Sequence, residues 1–240
     1  MTQKKHILIV GGTGGIGQVV AAHCLKKGWS VSVVARNPAQ LQEGMLNIQA
    51  DICCADDFQK ALDKSTHAFG KLTSLAFFQR FRGKGDSWDE QIRTSLIAIN
   101  AAIHLAVPFF REEGDKSILI ACSSAAHFVS PEQDAAYHAT RSAQLGLMRY
   151  HAVGLGSLGI RVNCISLGTI LKPGNELFFQ ADSEKAKRCR SVSPLARMGT
   201  AAEIASAAEF LCSPSASWIT GQNLFCDGGA SLIWSESIHS

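Results

Sequence analysis

Residues 6–17 read His6-Ile7-Leu8-Ile9-Val10-Gly11-Gly12-Thr13-Gly14-Gly15-Ile16-Gly17, a short apolar run that stops in a cluster of glycines. The run His6–Val10 has the length and composition of a buried strand, and the residues after it predict a helix over Gly15–Lys27. Glycines between a strand and a helix serve three physical ends: a tight turn, close approach of backbone to a pyrophosphate, and close packing of helix on sheet. The helix N-terminus adds free N–H groups and a partial positive charge. The turn therefore reads as a dinucleotide site, with Gly11, Thr13, Gly14, Gly15, Ile16 and Gly17 as its candidate residues. A turn that serves packing alone is the bland alternative, and the strand before it and helix after it argue against that.

The same alternation of apolar runs and helix-length segments continues along the chain. Further strands are expected at Ser30–Ala35, Leu46–Ala50, Thr73–Phe78, Ser117–Ser123, Ile160–Ser166 and Asn223–Cys226. Between them fall helices at Ala55–Phe69, near Trp88–Glu112, at Asp134–Leu158 and at Ala201–Cys212, with a short one starting at Asn37-Pro38. This predicts an α/β fold: a Rossmann-type, doubly wound, parallel seven-stranded sheet flanked by helices, in one domain over residues 1–240. The irregular stretch 171–198 is expected to be a substrate lid, and it carries Phe178-Phe179 and the charged segment Asp182–Arg190.

Composition narrows the function. The 240 residues are 46% hydrophobic with a formal charge of +3, too weak a balance for a nucleic-acid footprint. Eight cysteines are scattered without a CxxC pair, and no HExxH or similar spacing is present, so no metal site is expected. Reduced thiols, the lack of a secretory leader and an uncharged stretch between Arg93 and Arg111 slightly too short to span a bilayer predict a soluble cytoplasmic protein without a membrane partner.

Ligands of doubly wound sheets sit beyond the carboxyl ends of the strands. The second strand ends Val34-Ala35-Arg36-Asn37, with no carboxylate to hold a ribose 2′-hydroxyl. Arg36 pairs instead with a 2′-phosphate, which favours NADP(H) over NAD(H), the alternative being a solvated arginine. Ser124 ends the fifth strand, and Tyr137 and Arg141 stand one turn apart on one face of the following helix. A cation beside a phenol favours the phenolate, so such a tyrosine can exchange a proton with a carbonyl or alcohol near neutral pH. Ser124 can hydrogen-bond the same oxygen. The loop Gln79–Lys84 carries Arg80, Arg82 and Lys84, read first as a solvated loop and alternatively as contacts to an anionic substrate.

The glycine turn, Ser123-Ser124, Tyr137-His138-Ala139-Thr140-Arg141, Arg161-Val162-Asn163 and Gly221-Gln222 with Asp227-Gly228-Gly229 together resemble the classical short-chain dehydrogenase/reductases, over essentially the whole chain. The resemblance implies NAD(P)-dependent hydride transfer between a carbonyl and an alcohol. It makes Ser124, Tyr137 and Arg141 the catalytic set, with Tyr137 as general acid/base. It implies that Asp51 and Ile52 meet the adenine, that Thr169 and Ile170 meet the nicotinamide carboxamide, and that Asn163 is structural. It also implies a homodimer or homotetramer built on the apolar helix around Leu96–Phe110. Four departures are visible: Arg141 replaces the family's lysine, Phe77-Phe78-Gln79-Arg80 replaces Asn-Asn-Ala-Gly, Ser95 replaces the relay asparagine, and Leu167 replaces a proline. The rival reading is a non-catalytic or weakly active dinucleotide-binding protein that keeps the fold.

Overall fold

Seven parallel strands run in the order β3-β2-β1-β4-β5-β6-β9 in a computed structural model that describes residues 4–37, 42–81, 83, 87–175 and 183–234. They are β1 (His6–Val10), β2 (Ser30–Ala35), β3 (Met45–Gln49), β4 (Ser74–Phe77), β5 (Lys116–Ser123), β6 (Ile160–Leu167) and β9 (Asn223–Cys226). Two two-residue strands, β7 (Ile170–Leu171) and β8 (Gly199–Thr200), pair apart from this sheet. Strand order reverses between β1 and β4, which opens a crevice at the carboxyl edge, where the glycine turn lies.

Alternation along each strand decides which helix it meets. Ile7, Ile9, Val31, Val33, Leu119 and Ile165 face one side. There they pack against Val20, Ala21 and Cys24 of α1 (Gly15–Lys26) and Ile204, Ala205 and Ala208 of α7 (Ala201–Leu211). Leu8, Val10, Leu75, Phe77, Ile118 and Ile120 face the other side. They meet α2 (Ala55–Phe69), α4 (Ala98–Ala106) and α5 (Ala135–Gly154). Both faces are covered, so the central strands are unbroken apolar runs rather than alternating ones. Phe77, where the resemblance leads one to expect asparagine, is 1% exposed and belongs to this core.

The long helix expected near Trp88–Glu112 differs from its sequence reading. It consists of α3 (Trp88–Ile92), a π-helical turn Arg93–Ile97, α4, and a 3-10 turn Val107–Phe109. It stops at Phe109, because Pro108 lacks a backbone donor and Phe110 is already extended. As one helical run, Trp88–Phe109 spans 22 residues, so it has the length and apolarity of a membrane-crossing helix, contrary to the estimate from its uncharged stretch alone. One side of it nevertheless lies in the core: Ile99, Ala102, Ile103 and Ala106 pack beneath the sheet. The stretch expected to be an irregular lid contains α6 (Glu184–Ser191), capped by Ser183, whose oxygen accepts the Ala186 N–H. Its highly charged composition lacks the apolar stripe by which a helix is read. Phe178-Phe179, Asp182, the short helix from Pro38, and loop residues Arg82 and Lys84 lie outside the described residues.

Candidate active site

Two glycines in the first turn are fixed by contact. A Cβ on Gly17 would stand 2.4 Å from the Gly11 carbonyl oxygen, and one on Gly11 would stand 2.5 Å from the backbone nitrogen of Gln79. Gly11 also has φ +80°, a conformation that side chains disfavour. The N-terminus of α1 has no side-chain cap and no acid in its first turn, so its free N–H groups remain available to an anion.

Around this turn lie two adjoining cavities. Gly11, Thr13, Gly14, Arg36, Asp51 and Ile52 line the first. Gly14, Ile16, Gly17, Tyr137, Arg141, Thr169 and Ile170 line the second. Gly15 lines neither, although it sits at the helix start with φ +57°. Phe78, Gln79 and Arg80 border both. The Gln79 amide buries both its oxygen and its nitrogen without a hydrogen-bond partner, so it can receive a polar ligand group that reaches either cavity. At the outer cavity the Asp51 carboxylate accepts the Cys53 N–H at 2.9 Å, which holds the turn after β3.

Tyr137 is placed by the start of α5. Asp134 caps that helix and accepts the Tyr137 N–H at 2.6 Å. One turn on, Arg141 is 3% exposed, and its guanidinium carbon lies 4.8 Å from the centroid of the Tyr137 ring, over its face. Arg141 Nη1 donates to Gln144 Oε1 at 3.0 Å and to the Ala121 carbonyl at 3.3 Å. Gln144 Nε2 donates in turn to the Ser95 carbonyl at 3.0 Å, from the middle of the π-helical turn. Burial pushes the neighbouring Cys122 thiol up, so this wall of the cavity carries a neutral sulfur rather than a second charge.

Ser124 is placed differently. It shares a third cavity with Tyr137, Lys172 and Asp227, while its hydroxyl donates to the Leu167 carbonyl at 3.1 Å. To donate to a substrate oxygen it must release that carbonyl. The remaining motif residues hold the frame. Asn163 donates to the Ile219 carbonyl at 2.8 Å and accepts the Gln222 N–H at 3.0 Å, tying β6 to the segment before β9. The Asp227 carboxylate accepts the N–H groups of Gly229 and Ser231, both at 2.9 Å. His138 bonds the Ala125 carbonyl at 2.9 Å and serves the turn after β5. Among the described residues no group of three His, Cys, Asp or Glu side chains could hold a metal.

Sequence reading missed Gln144 and the polar side chain of Gln79. The one available signal for Gln144 was its spacing from Arg141, three residues on along the helix.

A family model described as enoyl-(acyl carrier protein) reductase matches residues 11–231. The chain belongs to the short-chain dehydrogenase/reductase family. Among curated relatives, a 3-oxoacyl-[acyl-carrier-protein] reductase of Staphylococcus aureus is 28% identical, over 95% of this chain and 99% of its own. The isoepoxydon dehydrogenase of Penicillium expansum is also 28% identical, over 93% of both chains. Among solved structures, the ligand-free aldohexose dehydrogenase of Thermoplasma acidophilum superposes with a TM-score of 0.87 at 25% identity, over 97% of this chain and 96% of that one. This short-chain dehydrogenase/reductase is thus an oxidoreductase enzyme that uses an NAD(P) cofactor on a small-molecule substrate. The residues present fit such a cofactor. The uncapped helix start, the two glycines that no Cβ can replace, and the unpartnered Gln79 amide form a cradle along the two adjoining cavities.

Proposed function

We propose that this enzyme interconverts a carbonyl and an alcohol with NADP(H), and that Tyr137 is its general acid/base. The observation that carries the reading is a buried guanidinium set over the Tyr137 ring at the junction of the dinucleotide cavity and the cavity of Ser124. When bound, the nicotinamide supplies or accepts the hydride. The glycine turn, through Gly11, Thr13, Gly14, Gly15, Ile16 and Gly17, would hold the pyrophosphate. Arg36 is exposed at the rim of the outer cavity, where a 2′-phosphate can pair with it and where the end of β2 offers no competing acid. Asp51 and Ile52 would bound the adenine, and Thr169 and Ile170 the carboxamide.

In the reducing direction, Tyr137 Oη gives its proton to the carbonyl oxygen as that oxygen becomes negative. Arg141 stabilises the phenolate left behind, since a guanidinium remains charged at any working pH. Ser124 turns from the Leu167 carbonyl to the same oxygen and fixes its position. In the oxidising direction each proton moves the opposite way. Ile97, Tyr150 and Val153 are 59%, 68% and 85% exposed on α4's helix and α5, an apolar face suited to a homodimer or homotetramer. Eight free thiols suit the cytoplasm.

The test is a binding titration with NADPH and NADH, followed by a carbonyl panel with wild type and Tyr137→Phe. Tighter NADPH binding and turnover that depends on Tyr137 are expected. Equal affinity for the two cofactors would remove the role of Arg36, and undiminished turnover in Tyr137→Phe would remove that of Tyr137.

A further inference from the structure

A buried arginine normally faces a carboxylate, because an uncompensated charge in the interior is costly. Arg141 does not. Among the described residues no ion pair reaches it, and its polar partners are an amide oxygen and a main-chain carbonyl, both taken by Nη1. Its Nε is buried without a partner. Gln144, wholly buried, grips Nη1 with its oxygen and the Ser95 carbonyl of the π-helical turn with its nitrogen.

We propose that Gln144 is a positioning residue, which clamps the Arg141 guanidinium against the face of the Tyr137 ring without cancelling its charge. The proposal rests on Tyr137 as the acid/base. An amide suits this place better than either a carboxylate or an apolar side chain. Gln144 spends its acceptor on Arg141 and its donor on Ser95, so both ends are satisfied and the side chain has one rigid pose. Glutamate at the same place would still accept from the guanidinium, but it would neutralise it and could not donate to the Ser95 carbonyl. An apolar side chain would leave the charge intact and let it move. Neither an amide nor a guanidinium exchanges protons near neutral pH, so the pair acts on Tyr137 as a fixed charge and not as a conduit. The π-helical turn contributes by bringing the Ser95 carbonyl into reach, since a π-turn leaves carbonyls outside the regular ladder.

The chain has only two tyrosines, Tyr137 and the exposed Tyr150, which makes a direct measurement possible. In a Tyr150→Phe background the near-ultraviolet phenolate absorbance reports Tyr137 alone, without cofactor or substrate. Gln144→Met is expected to move the appearance of phenolate to higher pH by about one unit, equivalent to about tenfold. Gln144→Glu is expected to move it at least as far, by neutralising the guanidinium. In an Arg141→Met background, Gln144→Met is expected to add nothing, because the residue it positions is gone. On the enzyme, the pH profile of kcat should shift in the same direction while KM for the carbonyl and Kd for NADPH stay within about twofold. An unmoved phenolate signal in both Gln144 variants would overturn the proposal, as would an equal shift with Arg141 absent. If Gln144→Met does not fold, Gln144→Leu takes its place in both backgrounds and decides by the same criteria. Should Tyr137→Phe turn over as fast as wild type, the acid/base reading falls, and the phenolate titration of the resting protein still decides whether Gln144 positions Arg141.

Discussion

The two ends of the proposed cofactor cleft are built from different materials. At the glycine turn the groups facing the cavity are backbone, held so closely that a single methyl group at Gly17 would strike a carbonyl oxygen. At the Tyr137 end they are side chains, a phenol with a guanidinium over its ring face, and a buried amide hydrogen-bonds that guanidinium. Backbone cannot be exchanged by mutation, so the first end keeps its form, whereas a side-chain network can change its members and still hold a charge in place. Two of the departures from the family pattern, Arg141 and Ser95, belong to that network, and Leu167 takes the hydroxyl of Ser124 beside it. The run Phe77–Arg80 lies between the two ends.

Four substitutions put this contrast at risk. The largest effect is expected from Tyr137→Phe, which should lower kcat by about 10²–10⁴ and leave NADPH affinity unchanged, measured by turnover and by equilibrium titration. A comparable loss of affinity would show that the two ends are not separable. Gly17→Ala should do the reverse. Overpacking of about 1–3 kcal/mol at the turn should weaken NADPH binding roughly tenfold or more, and calorimetry on the folded variant would read it. Normal binding by Gly17→Ala would mean that the turn is softer than its contacts imply. Arg36→Ala should cost about tenfold in NADPH affinity and nothing in NADH affinity, because an exposed arginine is a replaceable contact rather than part of the cradle.

The smallest effect lies beneath the cradle. His6 is buried in β1 and bonds the Gly70 carbonyl at 2.8 Å and the hydroxyls of Ser32 and Ser65 at 3.0 and 3.1 Å. Burial lowers its pKa from the ordinary 6.5, so the unfolded chain binds that proton more readily than the folded one. Its contribution to stability is complete above pH 6.5 and is lost as the pH falls from there through the lower folded value. Denaturation midpoints measured at pH 8 and pH 5 should therefore differ, and His6→Gln should lie about 1 kcal/mol below wild type at pH 8 with a smaller acid loss. Some slope will remain, since burial lowers His151 too. An acid loss undiminished in His6→Gln would relocate the sensitivity away from the strands that carry the cradle.

Much of the frame was legible because its signals are local. The bounds of β1, β2, α2 and β9 coincide with their expected spans, and the other strands of the sheet differ by one residue at one or both ends, since buried parallel strands are apolar runs with polar punctuation. The glycine turn was legible for the same reason. What escaped depends on distant segments meeting. Nothing local marks a π-turn, since it changes hydrogen-bond register without changing composition. Gln144 is unremarkable until Ser95 lies opposite it, and Ser124 gave no sign that Leu167 would occupy its hydroxyl. Gln79 looked like part of a polar loop, yet its amide is enclosed.

The π-turn at Arg93–Ile97 is the place where this helix can take up a change of length. A π-turn holds one residue more than the α-helix around it, and removing one residue there would let the helix rewind to regular α geometry. The wide turn absorbs the extra residue, so Ile99, Ala102, Ile103 and Ala106 would stay against the sheet after the deletion. The Ser95 carbonyl would rejoin the regular ladder and be lost to Gln144. A single deletion would erase one polar contact and leave the apolar face of the helix where it is.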